Sequence, residues 1–289
     1  MAQRFVLGKL QRGIRKDSVM NELPYWVPYC GHPVNPEMIL AQWNLDPWLL
    51  GALLVLLIGG WRHKRTTTSQ RAAFALAWVL LVATLVGPLC NLASALFGAR
   101  VTQHLIMIQI AAPLFVISGV GAAWLRKLRH PSLLWAVHGV LIWLWHLPLP
   151  YEAALRSVPI LWIMHATLML TAIAAWYTLL CPRDDAMLSR ALLGVFATSV
   201  HLGMLGAILT FAPEAWHSYH HIGAPLWNLS ALQDQQLAGL MMWVVGCTLY
   251  FGVALWILGR WLQRLDLDAE RVAVPVGTVP HPLLDDLKR

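Results

Sequence analysis

The chain has 289 residues, of which 58% are hydrophobic and 12% are charged, and its formal net charge is +7. This composition is too apolar for the surface of a water-soluble protein, so lipid must be its main solvent. The basic residues gather in short segments between apolar runs. That pattern is typical of membrane orientation and excludes the continuous basic face of a nucleic-acid-binding protein.

Seven apolar runs predict an all-α, polytopic membrane bundle of about seven transmembrane helices, because a helix needs about 20 apolar residues to cross a bilayer. The first run opens at Asp46 and Pro47, an N-cap followed by proline at the first helical position. The predicted spans are approximately 48–61, 72–92, 104–124, 132–147, 159–180, 191–211 and 237–261. We therefore expect an external arm (1–46), a membrane domain (47–264) and a disordered cytoplasmic tail (265–289).

The basic loops predict the orientation. Positively charged residues follow spans one, three, five and seven, and such segments stay in the cytoplasm. They are Arg62, Lys64, Arg65, Arg71, Arg126, Lys127, Arg129, Arg183, Arg190, Arg260, Arg264 and Arg271. We therefore expect a protein of the cell inner membrane with its N-terminus outside and its C-terminus inside. The basic segment from Arg4 to Lys16 opposes this, and we hypothesise that translation begins at Met20.

The cysteines form no recognisable pattern. Cys30, Cys90, Cys181 and Cys247 are far apart and make no Cys-X-X-Cys pair. The sequence therefore predicts neither a disulfide framework nor a zinc ribbon. Cys30 and His32 lie close together in the external arm and are weak candidates for copper capture.

Histidines inside the spans are the main candidates for function, because ionisable groups in lipid are costly. His104, His146, His165 and His201 belong to four different spans. At about 1.5 Å of rise per residue, all four fall in the outer half of the membrane, whereas His138 lies toward the cytoplasmic side. We therefore expect the four outer imidazoles to form one shared polar or metal-binding pocket.

Methionines accompany these histidines at helical spacing. The pairs that share a helix face are His104 with Met107, His165 with Met169, His201 with Met204, and Asp234 with Met241. Imidazole and thioether ligands together favour copper, particularly Cu(I), over magnesium or calcium. Neutral ligands would also hold the ion without burying much charge.

Structural roles are the alternative explanation for the same residues. Methionine fills gaps in apolar cores, and a membrane histidine can simply hydrogen-bond between helices. Asp234 follows a predicted capping box, in the first helical turn, where an acidic residue suits the helix dipole. His217, His220 and His221 in the last external loop could catch a metal, but the aromatic residues around them favour an interfacial belt.

Catalysis is not expected. No motif for nucleophilic, zinc-protease or phosphate chemistry is present, and no paired carboxylates lie in the spans. Haem held by two facing histidines would instead make a membrane electron carrier or quinone oxidoreductase. A copper transporter would need ligands that continue to the cytoplasmic face, where His138 and Cys181 are the candidates.

Three stretches carry a resemblance to a known family. The first is Gln-His-Leu at 103–105, continuing to Ala-Ala-Pro-Leu at 111–114. The second is Trp-His-Leu-Pro at 145–148, followed by Tyr-Glu-Ala-Ala-Leu at 151–155. The third runs from His201 to Asp-Gln-Gln-Leu-Ala-Gly-Leu-Met-Met-Trp at 234–243. Over about residues 40–262, the chain resembles the CtaG-like multi-span assembly factors of caa-type cytochrome c oxidase.

The resemblance implies a role in maturing the copper centres of a haem-copper oxidase, with oxidase subunits and periplasmic copper chaperones as partners. The matching polar positions are His104, His146, His165, His201 and Asp234, and Glu152 in the second stretch is a further polar candidate. The sequence departs from the family pattern at Arg100, where the family often has a further histidine. An arginine is not a ligand for Cu(I).

Overall fold

The computed structural model describes residues 27–63 and 67–273. This part of the chain is helical and contains no β-strand, which confirms the all-α fold. The proposed start at Met20, the basic segment before it and the predicted tail beyond residue 273 lie outside the described residues.

The helices fill most of the described chain. They are α1 (Pro47–Arg62), α2 (Thr68–Leu85), α3 (Pro88–Ala95), α4 (Phe97–Ile117), α5 (Ala122–Leu125), α6 (Pro131–His146), α7 (Pro148–Arg156), α8 (Val158–Leu180), α9 (Asp185–Phe211), α10 (His220–Gly223) and α11 (Ala231–Ala273). Short 3₁₀ helices lie at Ile39–Ala41 and Ala224–Trp227. Helices α4 and α11 each contain a π-helical segment, Ile106–Ala111 and Met241–Gly246.

The lengths and apolar character of the helices fit a multi-pass membrane protein. Helices α2, α4, α8, α9 and α11 are each long and apolar enough to span a bilayer, and α6 with α7 forms a further candidate bent by 74°. Helix α1, with 16 residues, is a shorter apolar helix. The described residues thus contain five to six candidate spans. The total of seven and the orientation stay predictions.

The structure explains two span boundaries that were predicted wrongly. Helix α2 ends at Leu85, because Pro88 cannot donate a helical hydrogen bond and opens α3 instead. Helix α4 begins at Phe97 rather than at His104, because the side chain of Asp234 caps its first turn. His104 therefore lies about two helical turns inside the span instead of at its outer edge.

The centre of the bundle is formed by α4, α6, α8, α9 and α11, with α2 packed against α4 and α1 against α2. The backbones of α9 and α11 approach closely: a Cβ on Gly206 would lie 2.7 Å from the carbonyl oxygen of Gly239. Small residues permit such contacts in lipid, where van der Waals packing drives helix association.

The π segments of α4 and α11 are joined by a side chain. Gln109 Nε2 donates to the carbonyl oxygen of Gly246 at 3.1 Å. From α8, Trp176 Nε1 donates to the carbonyl oxygen of Ile108 at 2.8 Å. A π turn disturbs the regular backbone hydrogen bonding of a helix. These donors satisfy carbonyl groups there and tie α4 to α8 and α11.

The prediction that the chain has no disulfide was wrong. Cys30 and Cys90 form a disulfide that joins the N-terminal arm to α3, with their Cα atoms 5.3 Å apart. Their sequence separation is 60 residues, so spacing alone could not reveal that the arm folds back over the bundle. Disulfides persist in oxidising compartments, which agrees with the predicted external position of this end.

The last helix is longer than predicted. It continues to Ala273, so residues 265–273, part of the predicted disordered tail, are helical. The reason is local, since no proline or glycine occurs between Gly259 and Ala273 to end the helix. The indole of Trp261 donates to Asp185 at 2.9 Å and ties this end of α11 to the start of α9.

Candidate functional site

Helices α4, α6 and α8 bring three of the predicted histidines together. Between ring centroids, His104 on α4 is 5.9 Å from His146 on α6 and 5.5 Å from His165 on α8. His146 ends α6 and His165 lies near the start of α8, so the two helices present them at the same end of the bundle. All three side chains are buried. These three residues are the histidine cluster.

Several nitrogens of the histidine cluster have no hydrogen-bond partner. His146 Nδ1 donates to the carbonyl oxygen of Ile142 at 2.6 Å, which leaves the lone pair on Nε2. Both ring nitrogens of His104 and Nε2 of His165 are buried without a partner. Because buried polar atoms are nearly always hydrogen-bonded, these nitrogens are the groups that a bound ligand would satisfy.

Arg100 puts a permanent positive charge beside the histidine cluster. Its side chain is 1% exposed and donates from Nη1 to Gln103 Oε1 at 2.9 Å. Tyr151 and Tyr219 face the guanidinium. Within the described chain, Arg100 forms no ion pair with a carboxylate. A cation here disfavours the binding of further positive charge, and the repulsion grows with the charge of the ion.

The loop between α9 and α11, which is predicted to be external, folds over the histidine cluster. The ring of His217 lies 4.2 Å from that of Phe97 and 4.4 Å from that of Tyr151. His220 Nδ1 donates to a backbone carbonyl of α3 at 3.1 Å, so Nε2 accepts from the Tyr151 hydroxyl at 2.8 Å. Both histidines are buried, whereas His221 is exposed. The two buried histidines therefore close the end of the bundle that carries the histidine cluster.

Burial sets the protonation of these two loop histidines. Desolvation lowers the pKa of His217 to about 3, and the neighbouring His220 and His146 act in the same direction. Desolvation also lowers the pKa of His220 to about 4, although its backbone hydrogen bond acts in the opposite direction. Both rings are therefore neutral at physiological pH.

Asp234 caps a helix other than its own. Ser230 and Gln233 form the predicted capping box at the start of α11. The carboxylate of Asp234 instead accepts from the amides of Phe97 at 2.6 Å and Gly98 at 3.0 Å. These amides belong to the first turn of α4, where a helix has unsatisfied donors. Asp234 thus positions the helix that carries the first histidine of the cluster.

His201 lies outside the histidine cluster, so the expected pocket of four histidines is corrected to three. Its ring packs against Gly139 of α6, where a Cβ would lie 2.5 Å from His201 Nε2. It therefore lines a groove between α6 and α9. Further toward the other end, both ring nitrogens of His138 are hydrogen-bonded, to the hydroxyls of Thr171 and Tyr250.

The candidate methionines also differ from one another in burial. Met107 and Met169 are buried in the core, whereas Met204 is 52% exposed on the outside of α9. Met241 is half-buried, and its sulfur accepts from a threonine hydroxyl of α4 at 3.5 Å. Met204 therefore faces away from the interior. Met107 and Met169 have the burial that a thioether ligand in a dry site needs.

The remaining candidates are at the surface or already engaged. Cys30 is bonded to Cys90 and offers no thiolate, which corrects its candidacy for copper capture. His32 is exposed. Glu152 forms an ion pair of 2.6 Å with Arg156 on the surface.

The described chain holds no group of three or more His, Cys, Asp or Glu side chains arranged to bind a metal ion. A metal in the histidine cluster would therefore require rotation of the rings or a mixed set of imidazole and thioether ligands. The free nitrogens of His104 and His165 fit a soft, singly charged ion better than a hard divalent one, since the buried carboxylate of Asp234 is already engaged with the amides of α4.

Comparison with known protein families identifies the family of this chain. The cytochrome c oxidase caa3 assembly factors match residues 52–264, which include the whole histidine cluster. The chain belongs to this family. No curated protein and no solved structure matches it significantly. The family match confirms the resemblance carried by the three sequence stretches and supports a role of this assembly factor in building cytochrome c oxidase.

Two features of the assembly factor's site were not predicted: the buried charge of Arg100 and the burial of His217 and His220. A lone arginine within an apolar span is a sequence signal for the first. The second has no such signal, because it depends on Phe97 and Tyr151 meeting the loop in space.

Proposed function

We propose that the protein receives Cu(I) at the external side of the inner membrane, binds it in the histidine cluster and passes it to a copper centre of the oxidase during assembly. Copper is then cargo, and it moves by exchange among imidazole and thioether ligands without a catalysed chemical step. Oxidase subunits and periplasmic copper chaperones are the expected partners.

The observation that carries this proposal is the state of His104. Both of its ring nitrogens are buried and unpartnered, and two imidazoles from other helices have centroids 5.5 and 5.9 Å from its own. An imidazole nitrogen lies about 2 Å from a bound metal, so two rings that share an ion have centres about 5 to 6 Å apart. Ring rotation would then suffice to aim several nitrogens at one ion.

The charges around the histidine cluster support a monovalent ion. Imidazole and thioether ligands are neutral, so Cu(I) would bring a single positive charge into an apolar region. Arg100 already places a cation there, and its repulsion grows with the charge of the ion. Soft, neutral ligands also prefer Cu(I) to Mg²⁺ or Ca²⁺.

Titration of the purified, detergent-solubilised protein with Cu(I), in competition with a chromophoric Cu(I) chelator, tests this proposal. We expect stoichiometric binding that is lost in His104→Ala and weakened in His165→Ala. His201→Ala is the matched control, since His201 also lies in a candidate span but outside the cluster. It should bind Cu(I) like the unmodified protein.

Failure of the unmodified protein to bind Cu(I), or an equal loss in His201→Ala, would overturn the copper role and leave the family membership intact. The absorption spectrum of the same sample tests the haem alternative, because a Soret band would show iron ligated by histidine. If the proposal holds, oxidase from cells that carry His104→Ala contains less copper than oxidase from cells that carry His201→Ala.

A further inference from the structure

A groove of about 650 Å³ runs between α6 and α9 on the outside of the bundle. Small residues such as Gly194 and Ala197 line it together with large apolar ones such as Trp143. Along α9 the lining extends from Arg190 to His201. The groove is thus an apolar channel with a basic residue at one end.

At Arg190 the groove meets a second cavity of about 670 Å³, the basic pocket. Its basic lining residues are Arg126, Arg129, Arg183 and Arg190. Within the described residues, none of these four side chains forms an ion pair or a side-chain hydrogen bond. The acidic residue of the basic pocket, Asp184, caps α9 by accepting from the amide of Met187 at 2.6 Å. The pocket therefore keeps a net positive charge.

The dimensions of the groove match one membrane leaflet. Arg190 and His201 are 11 positions apart in one helix, which corresponds to about 16 Å along its axis. Half of the hydrocarbon core of a bilayer is about 15 Å thick. The guanidinium groups thus lie where lipid headgroups begin, and the apolar lining lies at the depth of the acyl chains.

We propose that the groove and the basic pocket together hold one anionic phospholipid, with its phosphate against Arg126, Arg129 and Arg190 and an acyl chain between α6 and α9. Planar guanidinium groups bind phosphate oxygens through paired hydrogen bonds. Basic pockets between transmembrane helices select anionic headgroups. The positive charge that orients a membrane protein can lie anywhere in a cytoplasmic loop, so orientation alone does not require the arginines to converge on one pocket. Lys127, for example, adds charge to the same loop without lining the pocket.

Native mass spectrometry after reconstitution with equal amounts of phosphatidylglycerol and phosphatidylcholine of identical chains tests the proposal. Phosphatidylglycerol should be retained preferentially, and the preference should fall about fivefold for each pocket arginine removed. Arg126→Gln and Arg190→Gln are the test variants. Lys127→Gln changes the charge equally but should leave the preference unchanged.

Ala197→Phe tests the apolar half, because a phenyl ring at this exposed position would fill the groove. It should lower phosphatidylglycerol retention with all four arginines in place. Full retention in this variant would overturn the proposal, since the arginines would then bind a phosphate without a chain. The proposal would also be overturned if the two lipids were retained equally, or if Lys127→Gln lowered the lipid preference as much as the arginine variants do. A polypeptide held in the groove in place of lipid would overturn it as well.

Discussion

Two kinds of buried histidine occur side by side in this bundle. His138 has a hydroxyl partner for each ring nitrogen, and it joins α6 to α8 and α11 as an ordinary interhelical contact. His104 has no partner for either nitrogen and faces two further imidazoles. Desolvation without a hydrogen bond is costly, so the difference marks His104, like His217 in the loop above it, as a histidine whose partner would come from outside the chain.

Asp234 offers a direct test of how α4 is positioned. Asp234→Asn would replace one acceptor oxygen with an amide that faces a backbone donor, and it would remove a negative charge from a helix N-terminus. We expect a loss of about 1 to 2 kcal/mol in stability, measured as a lower thermal unfolding temperature in detergent. Glu152→Gln, which alters an exposed ion pair, should change little. Equal unfolding temperatures for the Asp234 variant and the unmodified protein would contradict the capping role.

Acidification should loosen the loop over the histidine cluster. In the folded protein the pKa is about 3 for His217 and about 4 for His220, below the value of about 6.5 for an unfolded histidine. At pH values between these folded-state pKa values and about 6.5, the unfolded loop therefore binds more protons than the folded loop. Stability falls as the pH drops below about 6.5 and is unaffected above it.

Hydrogen exchange of the loop, corrected for intrinsic rates, checks this pH dependence. Exchange should be faster at about pH 5 than at about pH 7.5, because the loop opens more often when its histidines can be protonated. Gln at both His217 and His220 should remove the difference, whereas His221→Gln should keep it. A pH effect that persists in the double variant would show that other groups cause it.

The sequence predicts some of the site at the residue scale and misses the rest for physical reasons. His104, His146 and His165 could be predicted as neighbours, because the topology of three successive spans places them at one end. His201 could not be separated from them, since the rotation of α9 about its axis is decided by packing against Gly139. The exposure of Met204, which also lies on α9, depends on the same rotation.

At the scale of the helix, close backbone contacts between α9 and α11 hold the bundle together. A methyl group on Gly206 would lie 2.7 Å from the carbonyl oxygen of Gly239 and 2.8 Å from the amide of Trp243. Gly206→Ala should therefore destabilise the protein by about 1 to 3 kcal/mol, measured by thermal unfolding. Gly252→Ala on α11 is the control, since a Cβ there meets nothing within 4 Å and alanine favours the helix. A variant at Gly206 as stable as that control would contradict the contact.

Helix existence could be predicted from apolar runs, but helix ends depended on partners far away in the chain. The N-terminus of α4 is set by Asp234, a residue of α11, so no local pattern marks it. The end of α2 could have been placed correctly from Pro88 alone. The disulfide between Cys30 and Cys90 depends on the arm folding back, which no local rule predicts.

At the scale of the whole molecule, orientation is the feature that a labelling experiment tests well. Cys181 is free and exposed at the end predicted to be cytoplasmic, whereas Cys30 and Cys90 are bonded to each other. In a Cys247→Ser background, a membrane-impermeant maleimide should label Cys181 in inside-out vesicles. It should leave Cys181 unlabelled in intact cells stripped of their outer membrane. Labelling from outside would reverse the predicted orientation.

X-ray absorption spectroscopy of the Cu(I)-loaded protein most directly tests the central claim that imidazoles from α4, α6 and α8 share one ion. The account predicts at least two imidazole ligands, which are lost from the spectrum in His104→Ala and retained in His201→Ala. Copper bound without imidazole ligands, or a spectrum unchanged by His104→Ala, would contradict it.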